Sequence, residues 1–443
     1  MANIVLVTHW TGGDVLPFIK LGEELKRVGH HVTICTHCYY ESKVVDKALN
    51  FVALDDMETY KAMNRDLYQL ADPINHREEC IRFQLKYHGK ARLIEEYEKI
   101  LPYCQAPDTI ILARHRSSIS GLLVAEKLGL RYASVVLAPN YFSHMDLHEQ
   151  IFGEELKEEI NQVRRKVGLV DISSWKEWLY SPKNIGCIWP EWFADIEEEW
   201  PSGTSCIGFL PLKEEGSVVF DSEIETILEG DKPIILISGG SSHMVSPKFY
   251  ETGVRACEAG GYKGIVITRY EDLLPQPMPA CVTWRKEINL AALMKRVDLI
   301  IHHGGMGTLN EAIDAGIPQI ILPHLTDGPD NASRLMKIGI AKSFPIAFWQ
   351  VERIAEGIQA LIEEKTYKEK CNRISELNRS ITSEQRWQEF INEISVYETS
   401  LIDVGKDKGS INAERQTDMN IPKEASLSRN QLLAIIKRNK KLG

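Results

Sequence analysis

Two doubly wound α/β domains facing each other across a crevice are what this sequence predicts, and three observations predict it. Short apolar runs alternate with helix-period segments from the first residues onward. The same alternation restarts near residue 232. Glycine-rich loops stand where several of the runs end and helices begin. In folds of this kind ligands bind beyond the carboxyl ends of the strands.

The elements follow in order. Asn3–Thr8 reads as a strand, Thr11-Gly12-Gly13-Asp14 as a turn, and Leu16–Val28 as a helix that Gly29-His30 stops. His31–Thr36 is a second strand, which completes a βαβ unit. Thr109–Leu112 and Ala133–Leu137 flank the helical Ile119–Leu128 and form another. Between and after these units, 57–100 and 147–180 read as helical, charged insertions on the sheet scaffold. Trp189-Pro190 and Trp200-Pro201 punctuate the middle, and the acidic Lys213–Asp231 reads as a connection between domains. The second series places strands at Ile234–Ser238, Gly264–Thr268, Cys281–Trp284, Leu299–His302 and Gln319–Leu322. The resulting division is 1–205, a linker at 206–232, a second domain at 233–395, and a tail at 396–443. In that tail 403–426 is polar and aperiodic, and 427–442 suits a short basic amphipathic helix for docking on the body, a partner protein or an anionic membrane.

Composition narrows the function. With 443 residues, 44% hydrophobic and 26% charged, the chain has material for two or three cores. A net charge of −10 argues against a nucleic-acid partner, which would require a basic face. No run approaches the roughly 18 apolar residues of a spanning helix, and the opening MANIVLVTHW lacks a basic segment before its apolar run, so it reads as a strand and not as a signal peptide. Nine scattered cysteines suit a reducing cytoplasm. Cys35-Thr36-His37-Cys38 has CxxC spacing without a second ligand pair, so a strand end with small buried thiols is the better reading.

Four loops at strand ends carry residues suited to chemistry. In the first, Asp14 is either a helix-start acid, worth about 0.3–1 kcal/mol through the macrodipole, or a functional carboxylate in a tight glycine turn. The second, Ser238-Gly239-Gly240-Ser241-Ser242, suits phosphate oxygens. The third holds Trp284, a core residue or a stacking platform. The fourth is HHGGMGTLNE at 302–311, whose amides at Gly305, Met306 and Gly307 can face an anion from a helix amino end. Adjacent strand residues point to opposite faces, so His302 and His303 do not share a metal ion. One of them should be buried and structural, the other turned to the crevice. The chain contains no GxSxG, Walker lysine, HExxH or first-turn GxGxxG.

HHGGMGTLNEAIDAGIPQIILPHLTDGPDNASRL resembles the donor signature HHGGxGTxxEAxxxGxPxxxxPxxxDQPxNAxR of GT-B fold nucleotide-sugar glycosyltransferases, the UDP-glycosyltransferase superfamily. GGDVLPFIKLGEELKRVGHHVTICTH resembles the amino-terminal segment of the same family. The resemblance covers about residues 1–395. It is nearest in style to sterol glucosyltransferases, glycolipid rhamnosyltransferases and antibiotic glycosyltransferases. It implies an acceptor-binding first domain and a donor-binding second one. It also implies inverting, metal-independent transfer of a hexose, with no cofactor beyond a UDP- or dTDP-sugar co-substrate, to a hydroxyl of a small hydrophobic acceptor.

Position by position, the resemblance implies that His303, Gly305, Gly307, Thr308 and Ser241 surround the donor diphosphate. Trp284 would stack on the nucleobase, Glu311 would hold the ribose and Asp327 the sugar hydroxyls. Asp14 would be the base that deprotonates the acceptor, a role worth about 10²–10⁴-fold. Tyr141, Phe142, Trp175 and Trp178 are candidate acceptor walls. Two positions depart from the pattern. Asp327 is followed by Gly328 and not by glutamine, which removes an amide from the sugar site and leaves the sugar open. Where relatives carry an aspartate, the chain reads Ala113-Arg114-His115-Arg116. That segment is expected as a solvated loop; otherwise its basic pair holds Asp14 ionised or recognises an acidic acceptor. The rival readings are a nucleotide-sugar epimerase on the same scaffold and a catalytically silent partner of another glycosyltransferase. A cytoplasmic location, with peripheral membrane or protein contact through the tail, completes the expectations.

Overall fold

The computed structural model describes residues 1–70, 72–73, 75–210, 218–241, 243–324, 327–380 and 383–396. The expected tail segments at 403–426 and 427–442 lie outside the described residues, as do 211–217 of the connecting stretch. Among the described residues there are two sheets, and every strand pairing is parallel. The first has seven strands: β1 (Asn3–Val7), β2 (His31–Thr36), β3 (Asn50–Ala53), β4 (Thr109–Arg114), β5 (Arg131–Val136), β6 (Ile185–Cys187) and β7 (Thr204–Cys206), ordered β3-β2-β1-β4-β5-β6-β7. The second has six: β8 (Ile234–Ser238), β9 (Lys263–Ile267), β10 (Val282–Arg285), β11 (Leu299–His302), β12 (Gln319–Ile321) and β13 (Ala341–Ser343), ordered β10-β9-β8-β11-β12-β13. In each sheet the order reverses beside the first strand of its series, which is where a doubly wound fold opens a crevice.

Four strands escape the sequence reading: β3, β6, β7 and β13. They are three or four residues long, too short for a period to show. Helices cover both faces of each sheet, as buried parallel strands require. The central strands β1, β4, β8 and β11 are almost wholly buried. The insertion 57–100 folds into helices Met57–Asp66, Arg77–His88 and Lys90–Ile100, and the second insertion into Met145–Val167 and Trp175–Tyr180. All nine cysteines are free thiols, Cys35 and Cys38 included. No helix among the described residues is long and apolar enough to cross a membrane.

Two segments pack differently from the linear division. In the connecting stretch, Asp221 caps the helix Ser222–Leu228, and Arg285 on β10 donates to Asp221 at 2.7 and 2.8 Å. With Phe220 and Ile224 buried against the second sheet, this end of the stretch belongs to that sheet's core. The helix Ser383–Val396 crosses back to the first sheet. Its Trp387, Phe390, Ile391 and Ile394 join a core with Ile4, Leu6, Phe18 and Leu21. Its apolar face is covered there and not by the second sheet, so this helix ties the two halves together.

Candidate active site

A cavity of about 810 Å³ opens between the carboxyl ends of the two sheets. Its walls come from the segments after β1 (Trp10–Asp14), β4 (Arg114–Ser117) and β5 (Leu137–Tyr141) on one side. On the other they come from the segments after β8 (Gly239–Ser241), β9 (Thr268, Arg269), β11 (His303–Thr308) and β12 (His324, Asp327).

On the first wall, the glycines of the expected turn lie inside the first turn of the helix Gly12–Arg27, with Thr11 at its N-cap. Asp14 reaches back over that turn: the Thr11 amide and hydroxyl each donate to its Oδ2 at 3.1 Å. β4 lies beside β1, with Ala113 opposite Val7, and this register brings Arg114 to the same edge. Arg114 donates to Asp14 Oδ1 from Nε at 3.0 Å and from Nη2 at 2.7 Å. Its other hydrogen bonds go to Ser117 Oγ (2.8 Å), Tyr141 Oη (3.0 Å) and the His115 carbonyl (3.3 Å). Burial opposes its charge, but Asp14 and Tyr141 outweigh it and raise the Arg114 pKa further. The solvated loop expected at 113–116 is therefore not found: Ala113, Arg114 and His115 are buried, because their strand is an inner one. Beneath the loop, Trp10 donates its amide to His37 Nε2 at 2.8 Å, and His37 Nδ1 lies 2.7 Å from Asp55. His9 is held between Glu96 and Ser118, at 2.9 Å from each. Buried polar groups paired in this way hold the 9–14 segment rigidly in place.

On the second wall, His302 and His303 diverge as neighbouring strand residues do. His302 is buried, 2.9 Å from Gln319 and accepting from the Gly304 amide. His303 lines the cavity, and among the described residues its Nδ1 has no hydrogen-bond partner. Burial and the nearby His324 hold His303 down at about 4, so its ring is uncharged at neutral pH. The glycines around it have separate reasons. A Cβ on Gly240 would stand 2.6 Å from the His303 ring and one on Gly305 2.4 Å, so the imidazole sits between two bare Cα atoms. Gly304 has φ +97° and its Cα region meets the Gly328 backbone. Gly307 faces open space on the first turn of the helix Met306–Ala315, which Gly305 caps. The first turn of this helix, Met306 to Thr308, lines the cavity, and the backbone amides of a helix's first turn have no partner within the helix.

Ser241, Thr308, Glu311 and Asp327 line the same cavity. Ser241 comes so close to the first half that a Cβ on Gly12 would lie 3.1 Å from its Oγ. Burial raises the Glu311 carboxyl, with the Lys20 charge opposing, and leaves Oε2 unpartnered. Asp327 is pushed up to about 6, first by burial, then by the charges of Asp14 and Asp330 against that of Arg114. The Asp14 charge thus acts on Asp327 across the crevice.

Three sequence candidates are not in the wall. Trp284 packs on the second core and its indole N–H donates to the Thr268 carbonyl at 2.9 Å; the cavity is lined instead by the following Lys286, Glu287 and Ile288. Phe142 packs against Trp200 (4.5 Å) and Trp189 (6.4 Å), because one helical step turns it away from Tyr141. Trp178 is buried and donates to Glu126 at 3.0 Å. Tyr141 and Trp175 do line the cavity. Sequence reasoning missed Lys20, His144 and His148, which also line it; their only signal was position on segments beside strand ends.

A family model, "Glycosyltransferase family 28 N-terminal domain", matches residues 4–145, and "Erythromycin biosynthesis protein CIII-like, C-terminal domain" matches 263–394. The chain is 22% identical over 390 residues to the NDP-glycosyltransferase YjiC of Bacillus subtilis, covering 83% of this chain and 90% of that one. It is 25% identical over 381 residues to a sterol 3-beta-glucosyltransferase of Debaryomyces hansenii, covering 76% of this chain but 23% of that longer protein. Its fold matches the crystal structure of the glycosyltransferase VinC in complex with dTDP, with a TM-score of 0.66 at 17% identity over 88% of this chain and 99% of that one. With both halves matched and the crevice built from both, the chain resembles the UDP-glycosyltransferase superfamily along its length and is a glycosyltransferase of GT-B fold.

Proposed function

We propose that the chain transfers a hexose from a UDP- or dTDP-sugar to a hydroxyl of a small hydrophobic acceptor, with inversion and without a metal. One observation carries this reading: Asp14 and the amino end of the helix Met306–Ala315 face one cavity from opposite walls. The diphosphate lies at that helix end, where free amides and the N–H of neutral His303 stabilise its charge. Glu311 holds the ribose through its unpartnered oxygen, and Asp327 holds sugar hydroxyls.

Asp14 takes the acceptor proton as the hydroxyl oxygen bonds to the anomeric carbon and the bond to the diphosphate breaks. Its two oxygens already accept four donors. The acceptor hydroxyl therefore replaces one of them, and the Thr11 hydroxyl, which is free to rotate, is the easiest to displace. Attack from the Asp14 side, opposite the leaving diphosphate, inverts the carbon. The apolar part of the wall, with Leu67, Leu70, Phe152 and Trp175, favours a lipophilic acceptor. Nine free thiols are in keeping with a cytoplasmic site of action.

The test is release of nucleotide diphosphate from UDP-glucose or dTDP-sugars with a panel of lipophilic alcohols and phenols. Asp14→Asn should lower turnover by about 10²–10⁴-fold while UDP still protects the fold against heat. No release with any pair, and no protection by UDP or dTDP, would leave the silent-partner reading in its place.

A further inference from the structure

Three arginines line the cavity, and two of them have carboxylate partners. Arg114 is paired with Asp14 at 2.7 Å and Arg269 with Glu287 at 2.6 Å. Among the described residues Arg116 has no ion pair and no hydrogen bond, and its guanidinium rests over the Tyr141 ring at 4.4 Å. Its backbone is left-handed, φ +68°, an unusual conformation for a residue with a side chain. The groups around it offer no negative charge. His115, His144 and His148 are all held neutral, by burial first and by the Arg116 charge in the same direction. Asp330 and Asp146 act on His144 and Tyr180, not on Arg116. The same end of the cavity is apolar: His148 packs on Phe152 at 4.7 Å and on Trp175 at 5.0 Å, and Leu147 and Ile151 line it too.

A guanidinium drawn out of water without an anion costs free energy, and its planar fork matches a carboxylate. The basic pair at 114 and 116 thus divides its work. Arg114 is spent on Asp14, and Arg116 is left facing the space where the acceptor lies. We propose that Arg116 anchors a carboxylate of the acceptor, so that the acceptor is a lipophilic hydroxy acid with its acid on Arg116 and its hydroxyl toward Asp14. This rests on the transferase reading of the cavity. Both guanidiniums pack on the one Tyr141 ring, at 5.4 and 4.4 Å from its centre, so both polar ends of the acceptor lie near that ring. The apolar wall receives the rest of its skeleton.

The test is a binding titration, with and without UDP, of para-hydroxyphenylpropanoic acid and of a hydroxylated fatty acid, each against its own methyl ester. The wild-type protein should bind acid over ester by roughly ten- to hundredfold in at least one pair, the range of a charge-assisted hydrogen bond. Arg116→Gln should erase the preference while ester and UDP affinities stay unchanged, and Arg116→Lys should keep part of it. Equal affinity for acid and ester in both pairs, or failure of both acids to bind, overturns the proposal. So does an Arg116→Gln protein that loses acid and ester alike. If Arg116→Gln does not fold, the wild-type comparison decides alone. Failure of UDP to bind speaks against the transferase reading instead, and the titrations without UDP still report on Arg116.

Discussion

Arg114 and Asp14, a hundred residues apart in sequence, form the central ion pair of the cavity, with two guanidinium N–H groups on one carboxylate oxygen. The pair sets where the second oxygen points, and so where an acceptor hydroxyl must come. Arg114→Gln should therefore lower kcat by about 10²-fold through misplacement of the base, with UDP affinity unchanged. In a double-mutant cycle, Asp14→Asn with Arg114→Gln should be no slower than Asp14→Asn alone. Additive losses would separate the two residues.

Gly305 leaves room for the His303 ring, and a Cβ there would lie 2.4 Å from Nε2. Gly305→Ala should displace the imidazole and reproduce the effect of His303→Ala. Both should weaken UDP binding by roughly ten- to hundredfold, the worth of a hydrogen bond to a charged phosphate. Calorimetric titration with UDP reads this directly. A Gly305→Ala protein with wild-type affinity would remove His303 from the diphosphate site.

Asp327 titrates near 6, which gives a pH signature. Below that value the carboxyl is protonated and offers fewer acceptors to sugar hydroxyls, so affinity for a nucleotide sugar should rise as pH rises through about 6. Asp327→Asn should flatten the profile, and UDP without a sugar should show no such step. Stability runs the other way. A folded-state pKa above the unfolded value gives stabilisation that is fully present below the unfolded value of 3.8 and is lost as pH rises through about 6. At alkaline pH, Asp327→Asn should melt higher than the wild type.

Gly328 stands where the family pattern has glutamine, and the backbone explains why restoring that residue should fail. A Cβ at 328 would lie 2.6 Å from the His303 carbonyl oxygen. Gly328→Gln should cost about 1–3 kcal/mol through overpacking and should weaken UDP binding by moving His303. Thermal melting and UDP titration check both. A stable variant with altered sugar preference would show that the backbone yields.

Much of this site was legible in the residues. Alternation of short apolar runs with helical periods located both sheets, and the loops at strand ends supplied Asp14, Ser241, His303, Gly305, Gly307, Thr308, Glu311 and Asp327 to one cavity. The divergence of His302 from His303 follows from strand geometry alone. What local pattern misses is short or distant. β3, β6, β7 and β13 carry too few residues to show a period. Trp284, Phe142 and Trp178 are aromatic in the expected places, but the direction each ring takes depends on neighbours from other segments.

By itself the sequence determined the order of elements, the glycine loops at the strand ends and the divergence of His302 from His303, because these depend on contacts a few residues apart. Only the tertiary structure decided that Asp14 is bound to Arg114 while Arg116 has no anion among the described residues, that position 328 has no room for a side chain, and that the helix Ser383–Val396 returns to the first sheet. Each of these depends on the register of strands or the packing of helices far apart in the chain. Such placement is set by burial of whole faces, and no short stretch of residues encodes it.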